Sequence, residues 1–234
     1  MTDERIRNLD AGEGSTGSRP TESGDTSLAA QPFDALGLQY EHAYGHLPER
    51  LAAIDWLAAR LPPGARVLDI GSGTGRPAAD LLTRAGYAVT GIDVSATMID
   101  IARRQVPGAR FDQVDVRDFV TEGGSWDAVC AFFSLLQMPR RDLDATFQRI
   151  GGWLVLGGWF VLGTVPVDVE EVELRWMDQP LRATSYPIER YRDLLHAAGL
   201  EIVHAETSSF RPDFPGMGEE EEWFCYARRL GGGT

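Results

Sequence analysis

The chain contains no lysine: all 22 of its basic residues, in 234, are arginine. That absence excludes two chemistries at once. A Walker-type phosphate loop needs a lysine on the phosphates, and a pyridoxal phosphate enzyme needs a lysine amine for its Schiff base. Cysteine is scarce as well. Cys130 and Cys225 are the only two, and neither sits in the C-x-x-C spacing of a zinc or iron–sulfur site, so no metal is expected. Both are expected as buried free thiols in central strands, in a reducing cytoplasm. Long apolar runs are missing too. The longest, Ile150 to Val165, is interrupted by five glycines and falls short of the ~20 residues that cross a bilayer. It reads as a helix end, a turn and a strand, with no membrane partner. Positive charge is in deficit, the formal net charge being −13. No stretch interleaves arginine with aromatics, so the long-range field repels nucleic acid and none is expected as a partner.

What is present divides into three parts. Residues 1–32 are rich in Gly, Ser, Thr, Asp, Glu and Arg without an apolar period, and such a segment is expected to be disordered. Its acids outnumber its arginines two to one, which argues against a transit peptide and for a cytoplasmic chain. Residues 33–63 read as an N-terminal helical lid, with Leu47, Leu51, Ile54, Trp56 and Leu57 forming an apolar stripe before the break at Pro62-Pro63-Gly64. Residues 64–230 alternate strands and helices, which predicts an α/β domain built on a doubly wound, mostly parallel sheet with helices on both faces. An added hairpin or cap is expected at about 166–186, where Val165, Val167 and Val169, then Val172, Leu174 and Trp176, alternate.

The most informative segment is VLDIGSGTGRPAADL, Val67 to Leu81. Val67, Leu68 and Ile70 make an apolar strand carrying Asp69 near its carboxyl end. Gly71, Gly73 and Gly75 then let the backbone turn and approach a ligand closely, with Ser72 between them. Pro77 suits the first turn of the following helix. A dinucleotide fold uses G-x-G-x-x-G; here Arg76 occupies the last glycine position, which disfavours a dinucleotide-dependent oxidoreductase. Tyr87 to Ile92 form a second short strand ending at Asp93, followed by Val94 and Met98 at the start of a helix. Ala109 to Phe119 contain a third strand ending on Asp115, before Val116. Trp126 to Ala131 make a fourth, followed by Phe132 and Phe133.

Glycine turn and acids, in this order and spacing, resemble class I S-adenosylmethionine-dependent methyltransferases of the small-molecule type. The resemblance covers about residues 36–229. It implies a Rossmann-like seven-stranded sheet of order 3-2-1-4-5-7-6 with the last strand antiparallel. It also implies S-adenosylmethionine as cofactor and S-adenosylhomocysteine as product. The residues implied to bind it are Asp69, Gly71, Ser72, Gly73 and Gly75 at the methionine end and Asp93 at the ribose. Val94, Met98, Asp115, Val116 and Phe132 are implied at the adenine and along the cleft. The chain departs from the family's base and amide N-methylating members, which carry Asn/Asp-Pro-Pro-Tyr where this sequence has Ala131-Phe132-Phe133-Ser134.

The expected function is methyl transfer to an O or N atom of a small hydrophobic or aromatic metabolite by a monomer or homodimer. Tyr40, Tyr44, Phe133, Gln137 and Trp176 are the candidate acceptor contacts. Alternatives are a non-methylating protein of the same fold, such as a cyclase or partner subunit, and a peptide or protein methyltransferase. Relatives that methylate hydroxyls often carry a histidine after the fourth strand, but Gln137 stands there, and an amide is no base. His42 and His46, on the lid, are the candidate catalytic bases; otherwise transfer relies on proximity, which the residues slightly favour. Glu219 to Glu222 read as a solvated loop before an edge strand.

Overall fold

The computed structural model describes residues 23–231, with side chains from Leu28 onward. Seven strands form the main sheet: β1 (Arg66–Ile70), β2 (Ala88–Asp93), β3 (Arg110–Gln113), β4 (Trp126–Phe132), β5 (Leu154–Thr164), β8 (Leu200–Phe210) and β9 (Glu220–Arg229). Their order is β3-β2-β1-β4-β5-β9-β8, and β9 runs antiparallel to both neighbours. That is the arrangement the glycine motif and strand–helix alternation predict.

Near-continuous apolar sequence in β1 and β4 follows from burial on both faces. Leu68, Ile70, Val129 and Ala131 face helices α6 (Arg140–Trp153) and α7 (Ile188–Ala197). Val67, Ala128 and Cys130 face α3 (Pro48–Ala58), α4 (Ala78–Arg84) and α5 (Ala96–Gln105). Cys130 and Cys225 are buried free thiols. Among the described residues no helix is long and apolar enough to cross a membrane.

Between β5 and α7 the chain leaves the sheet as a hairpin, β6 (Val169–Trp176) and β7 (Gln179–Ser185). Met177 and Asp178 both adopt positive φ, the geometry of a two-residue type I′ turn. Met177 is nonetheless 2% exposed, packed with Leu36, Ala43 and Tyr44. The hairpin tip is thus fastened to α1 (Ser23–Leu36) and α2 (Leu38–Tyr44).

Four features differ from the sequence expectations. Residues 1–22 lie outside the described residues, but 23–32, expected as disordered tail, form most of α1. That helix lacks an apolar period because few of its residues are buried, Ala30 and Leu36 among them; its Asp34 accepts hydrogen bonds from Ser95 Oγ and the Thr97 amide, anchoring it at the start of α5. The helix α3, expected within the lid, packs instead on the sheet through Ala53, Ile54 and Leu57. No turn separates α6 from β5, because Leu154 passes directly into extended backbone. Glu220 to Glu222 belong to a central strand rather than a solvated loop, the edge being β8, and Glu222 is completely buried.

Candidate active site

The carboxyl ends of β1, β2 and β4 meet in a crevice, the usual ligand position in a doubly wound sheet. At its floor Gly71 and Gly73 take φ of 66° and 53°. A Cβ on Gly71 would lie 2.1 Å from the Cβ of Ser134, whose hydroxyl donates to the Ile70 carbonyl. Glycine is therefore obligatory at Gly71, where β1 and the chain after β4 touch. Gly75 lines neither cleft nor cavity; its Cα faces Phe111 and Val106, so it serves helix-to-strand packing rather than ligand contact.

Asp93 holds the turn from the next strand. Its two oxygens accept the amides of Gly73 and Ser95, each at 2.9 Å. Burial raises its pKa, against which those amide hydrogen bonds favour the charged form. Asp115, just beyond β3, forms a bidentate pair with Arg117 at 2.7 Å. Val94, Met98, Asp115, Val116 and Phe132 all line the crevice beside Asp93.

The far end of the glycine turn carries the densest set of unsatisfied groups. Asp69 is fully buried, its pKa pushed up to about 6 by desolvation, with the Cys130 thiol donating at 3.4 Å. Ser72 Oγ, Thr74 Oγ1 and Arg50 Nε are buried and find no hydrogen-bond partner among the described residues. Arg50, Asp69, Ser72 and Gly73 share one small recess there. Buried polar atoms without partners are costly, and at a cleft they mark where a ligand's polar groups belong.

A second, larger cavity of about 490 Å³ opens off the crevice. Phe33, Tyr40, Phe133 and Gln137 line both and form the passage between them. Its walls are the inward hairpin residues Val169, Val172, Leu174, Trp176, Leu181 and Ala183, with Tyr44 opposite and Glu219 to Glu221 at one end. That volume falls within the roughly 300–1,000 Å³ of small-molecule sites. Phe133 sits at φ 59°, an unusual conformation for a bulky residue, at the mouth of the passage. Its ring is braced edge-on against Phe224 at 5.7 Å.

A family model described as a methyltransferase domain matches residues 38–205. The chain belongs to that family. The methyltransferase GfsG of Streptomyces halstedii is 30% identical over 150 residues, 60% of this chain and 54% of GfsG. The 27-O-demethylrifamycin SV methyltransferase of Amycolatopsis mediterranei is 30% identical over 188 residues, 76% of this chain and 67% of that enzyme. The chain spans about half the length of GfsG and less of some other relatives. Among solved structures, the [4+2]-cyclase SpnF superposes with a TM-score of 0.69 at 23% identity, covering 93% of this chain and all of that one. Other structures of the fold hold S-adenosylmethionine or S-adenosylhomocysteine.

The lid histidines stand apart from the crevice and the cavity. His42 is exposed and lies 3.4 Å from Asp213, while His46 packs edge-on against Phe210. Neither lines the crevice or the cavity, because α2 turns Tyr40 and Tyr44, four residues apart, inward and His42 out. The expectation of a histidine base therefore loses its geometric basis. Sequence reasoning also missed Ala29 and Phe33, placed in or beside the expected tail, and Arg50, hidden in an apolar helix. An arginine on the buried stripe of α3, 4% exposed, was the available signal.

Proposed function

We propose that the chain transfers the methyl group of S-adenosylmethionine to a hydroxyl or amine of an apolar small molecule held under the β6–β7 hairpin. The single observation carrying this reading is the 490 Å³ apolar cavity, continuous with the crevice through Phe33, Tyr40, Phe133 and Gln137. The orphaned polar atoms around the glycine turn fit the amino-acid end of this cosubstrate. Arg50 and the Ser72 hydroxyl suit its carboxylate, and Asp69 its ammonium, which would restore the charge balance that burial denies that acid. Asp93 accepts from the ribose hydroxyls, and Asp115 with Val116 meets the adenine edge. Because the leaving group departs neutral, positioning and exclusion of water supply most of the rate.

The 27-O-demethylrifamycin SV methyltransferase, by its name an enzyme acting on a small molecule, supports a small-molecule acceptor. The likeness to the [4+2]-cyclase SpnF supports a second reading, a non-methylating protein of the same fold. Isothermal titration with S-adenosylhomocysteine, with NAD as control, tests the first half. Ala183→Trp tests the second: it fills the cavity from β7, so acceptor methylation should fall at least about a hundredfold while S-adenosylhomocysteine affinity holds within about threefold. Full turnover in that variant would place the acceptor elsewhere. Conversion of a native acceptor without methyl-label incorporation would establish the cyclase-type reading.

A further inference from the structure

With the histidines outside the site, the acceptor's proton needs another destination, and the cavity wall offers one. Tyr44 donates its hydroxyl hydrogen to Glu220 Oε2 at 2.9 Å. The Tyr44 hydroxyl oxygen in turn accepts the indole N–H of Trp176 at 3.1 Å. All three residues line the cavity. The direction of this chain decides what it can offer. Trp176 has one N–H and spends it on Tyr44, and Tyr44 has one O–H and spends it on Glu220. What remains for a molecule in the cavity is a lone pair on the Tyr44 oxygen and those of the Glu220 carboxylate. This chain of three residues therefore accepts hydrogen bonds from the cavity and donates none, which suits an acceptor that brings its own hydrogen.

We propose that Glu220, directly or through the Tyr44 hydroxyl, is the general base for a hydroxyl acceptor of the methyl group. This rests on the reading of the cavity as the acceptor site. In the step, the acceptor O–H bond breaks and its oxygen bonds to the methyl carbon. The carbon–sulfur bond breaks with its electron pair left on sulfur, and the proton ends on the Glu220 carboxylate. Along the tyrosine route, Tyr44 passes its hydrogen to Glu220 as it takes the acceptor's. Tyr40 stacks on Tyr44 with ring centroids 5.3 Å apart and lines both crevice and cavity, so the pair stands one helical turn from the passage. The surroundings suit a base. Burial raises the Glu220 pKa, which makes its carboxylate a stronger proton acceptor. The groups facing it are Tyr44 and Tyr40 of α2, Trp176 of β6 and Glu222 of β9, with Arg175, Glu219 and Glu221 elsewhere on the cavity wall.

Two probe acceptors separate base catalysis from positioning. Cyclododecanol is an apolar alcohol that must lose its proton, whereas para-nitrophenol is already ionised at mildly alkaline pH. Glu220→Gln should lower kcat for cyclododecanol by roughly 100- to 10,000-fold with KM little changed, and remove the acidic limb of its pH profile. It should leave para-nitrophenolate methylation within about tenfold and the S-adenosylhomocysteine dissociation constant unchanged. Glu220→Asp, which keeps a carboxylate, should recover part of the alcohol reaction. An equal loss on both probes, or none on either, would overturn Glu220 as the base. Wild-type protein that binds S-adenosylhomocysteine yet methylates neither probe would instead overturn the cavity as acceptor site, and the proposal with it.

Discussion

Replacing Asp93 by asparagine separates the two tasks assigned to that side chain. Both oxygens of the carboxylate face amide donors, Gly73 and Ser95, each at 2.9 Å. An asparagine of the same shape must turn its NH₂ group to one of them, so a donor meets a donor whichever way the amide is placed. Leaving a buried donor unsatisfied costs about 1–3 kcal/mol. In a protein of this size that corresponds to a fall in Tm of about 2–4 °C for each kcal/mol. The lost charge also weakens hydrogen bonds from the two ribose hydroxyls. Bonds to a charged group contribute about 1.5–3 kcal/mol each, and two sharing one carboxylate give roughly 2–4 kcal/mol together.

That range converts to about a 30- to 700-fold weaker dissociation constant for S-adenosylhomocysteine. Calorimetric titration reads the affinity, and thermal unfolding of the free protein reads the stability. Asp112→Asn is the control, because Asp112 pairs with Arg110 near the surface and should change neither quantity much. A dissociation constant within about threefold of the wild type, with a normal Tm, would refute the assignment and put the ribose elsewhere. A lower Tm with unchanged affinity would show that Asp93 serves the glycine turn alone.

Two further outcomes follow from buried acids. Asp69, held at about 6 by burial, must be ionised to pair with the ligand ammonium. S-adenosylhomocysteine affinity should therefore be flat above pH ~7 and fall up to about tenfold per unit below 6, with proton release on binding near pH 6; a titration flat down to pH 5 would contradict this. Glu222 is completely buried, and desolvation together with Glu220 and Glu49 lifts it to about 8 against the pull of Arg50. A carboxyl raised in the folded state contributes stability fully below its unfolded pKa and loses it as pH rises through 8. Glu222→Gln should accordingly raise Tm by at least about 2 °C at pH 8 and flatten the alkaline decline; a lower Tm at that pH would mean the charge is satisfied in place.

The crevice and its glycine turn were legible because their residues are dictated by local backbone geometry. A left-handed turn calls for glycine at Gly71 and Gly73, and an acid at the end of a neighbouring strand stands beside it by the parallel register of β1 and β2. The larger cavity depends on residues brought together from distant segments. Tyr44, Trp176 and Glu220 come from three separate elements, and nothing in the spacing of one reveals the others. Glu220 was misread because four consecutive acids look solvated. In a strand, however, alternate residues face opposite sides, and Glu220 and Glu222 are the two that turn to the α3 side, where Phe224 and Tyr226 are core. The start of α1 escaped notice for a related reason. Its anchorage is a polar cap on another helix, Asp34 on α5, which leaves no apolar period to read.

The placement of Tyr40 and Tyr44 ties the two halves together. They lie one turn apart on α2, Tyr40 against the crevice and Tyr44 against the acceptor cavity. Trp176 packs on both, and Met177 beside it is buried against Leu36, Ala43 and Tyr44. The crevice as closed by Ala29, Phe33 and Tyr40 holds only about 80 Å³, well under the roughly 300 Å³ at which small-molecule sites begin. Widening the crevice on this side displaces Ala29, Phe33 and Tyr40, and with them α1 and α2. Since the hairpin tip is packed into the same helices, that movement also lifts one wall of the acceptor cavity. An acceptor already filling the cavity would bear on Phe33, Tyr40, Tyr44 and Trp176 together and oppose the opening. Entry of the cosubstrate before the acceptor is thus the order that the packing of α2 against the hairpin favours, and the lid that shapes one site sets access to the other.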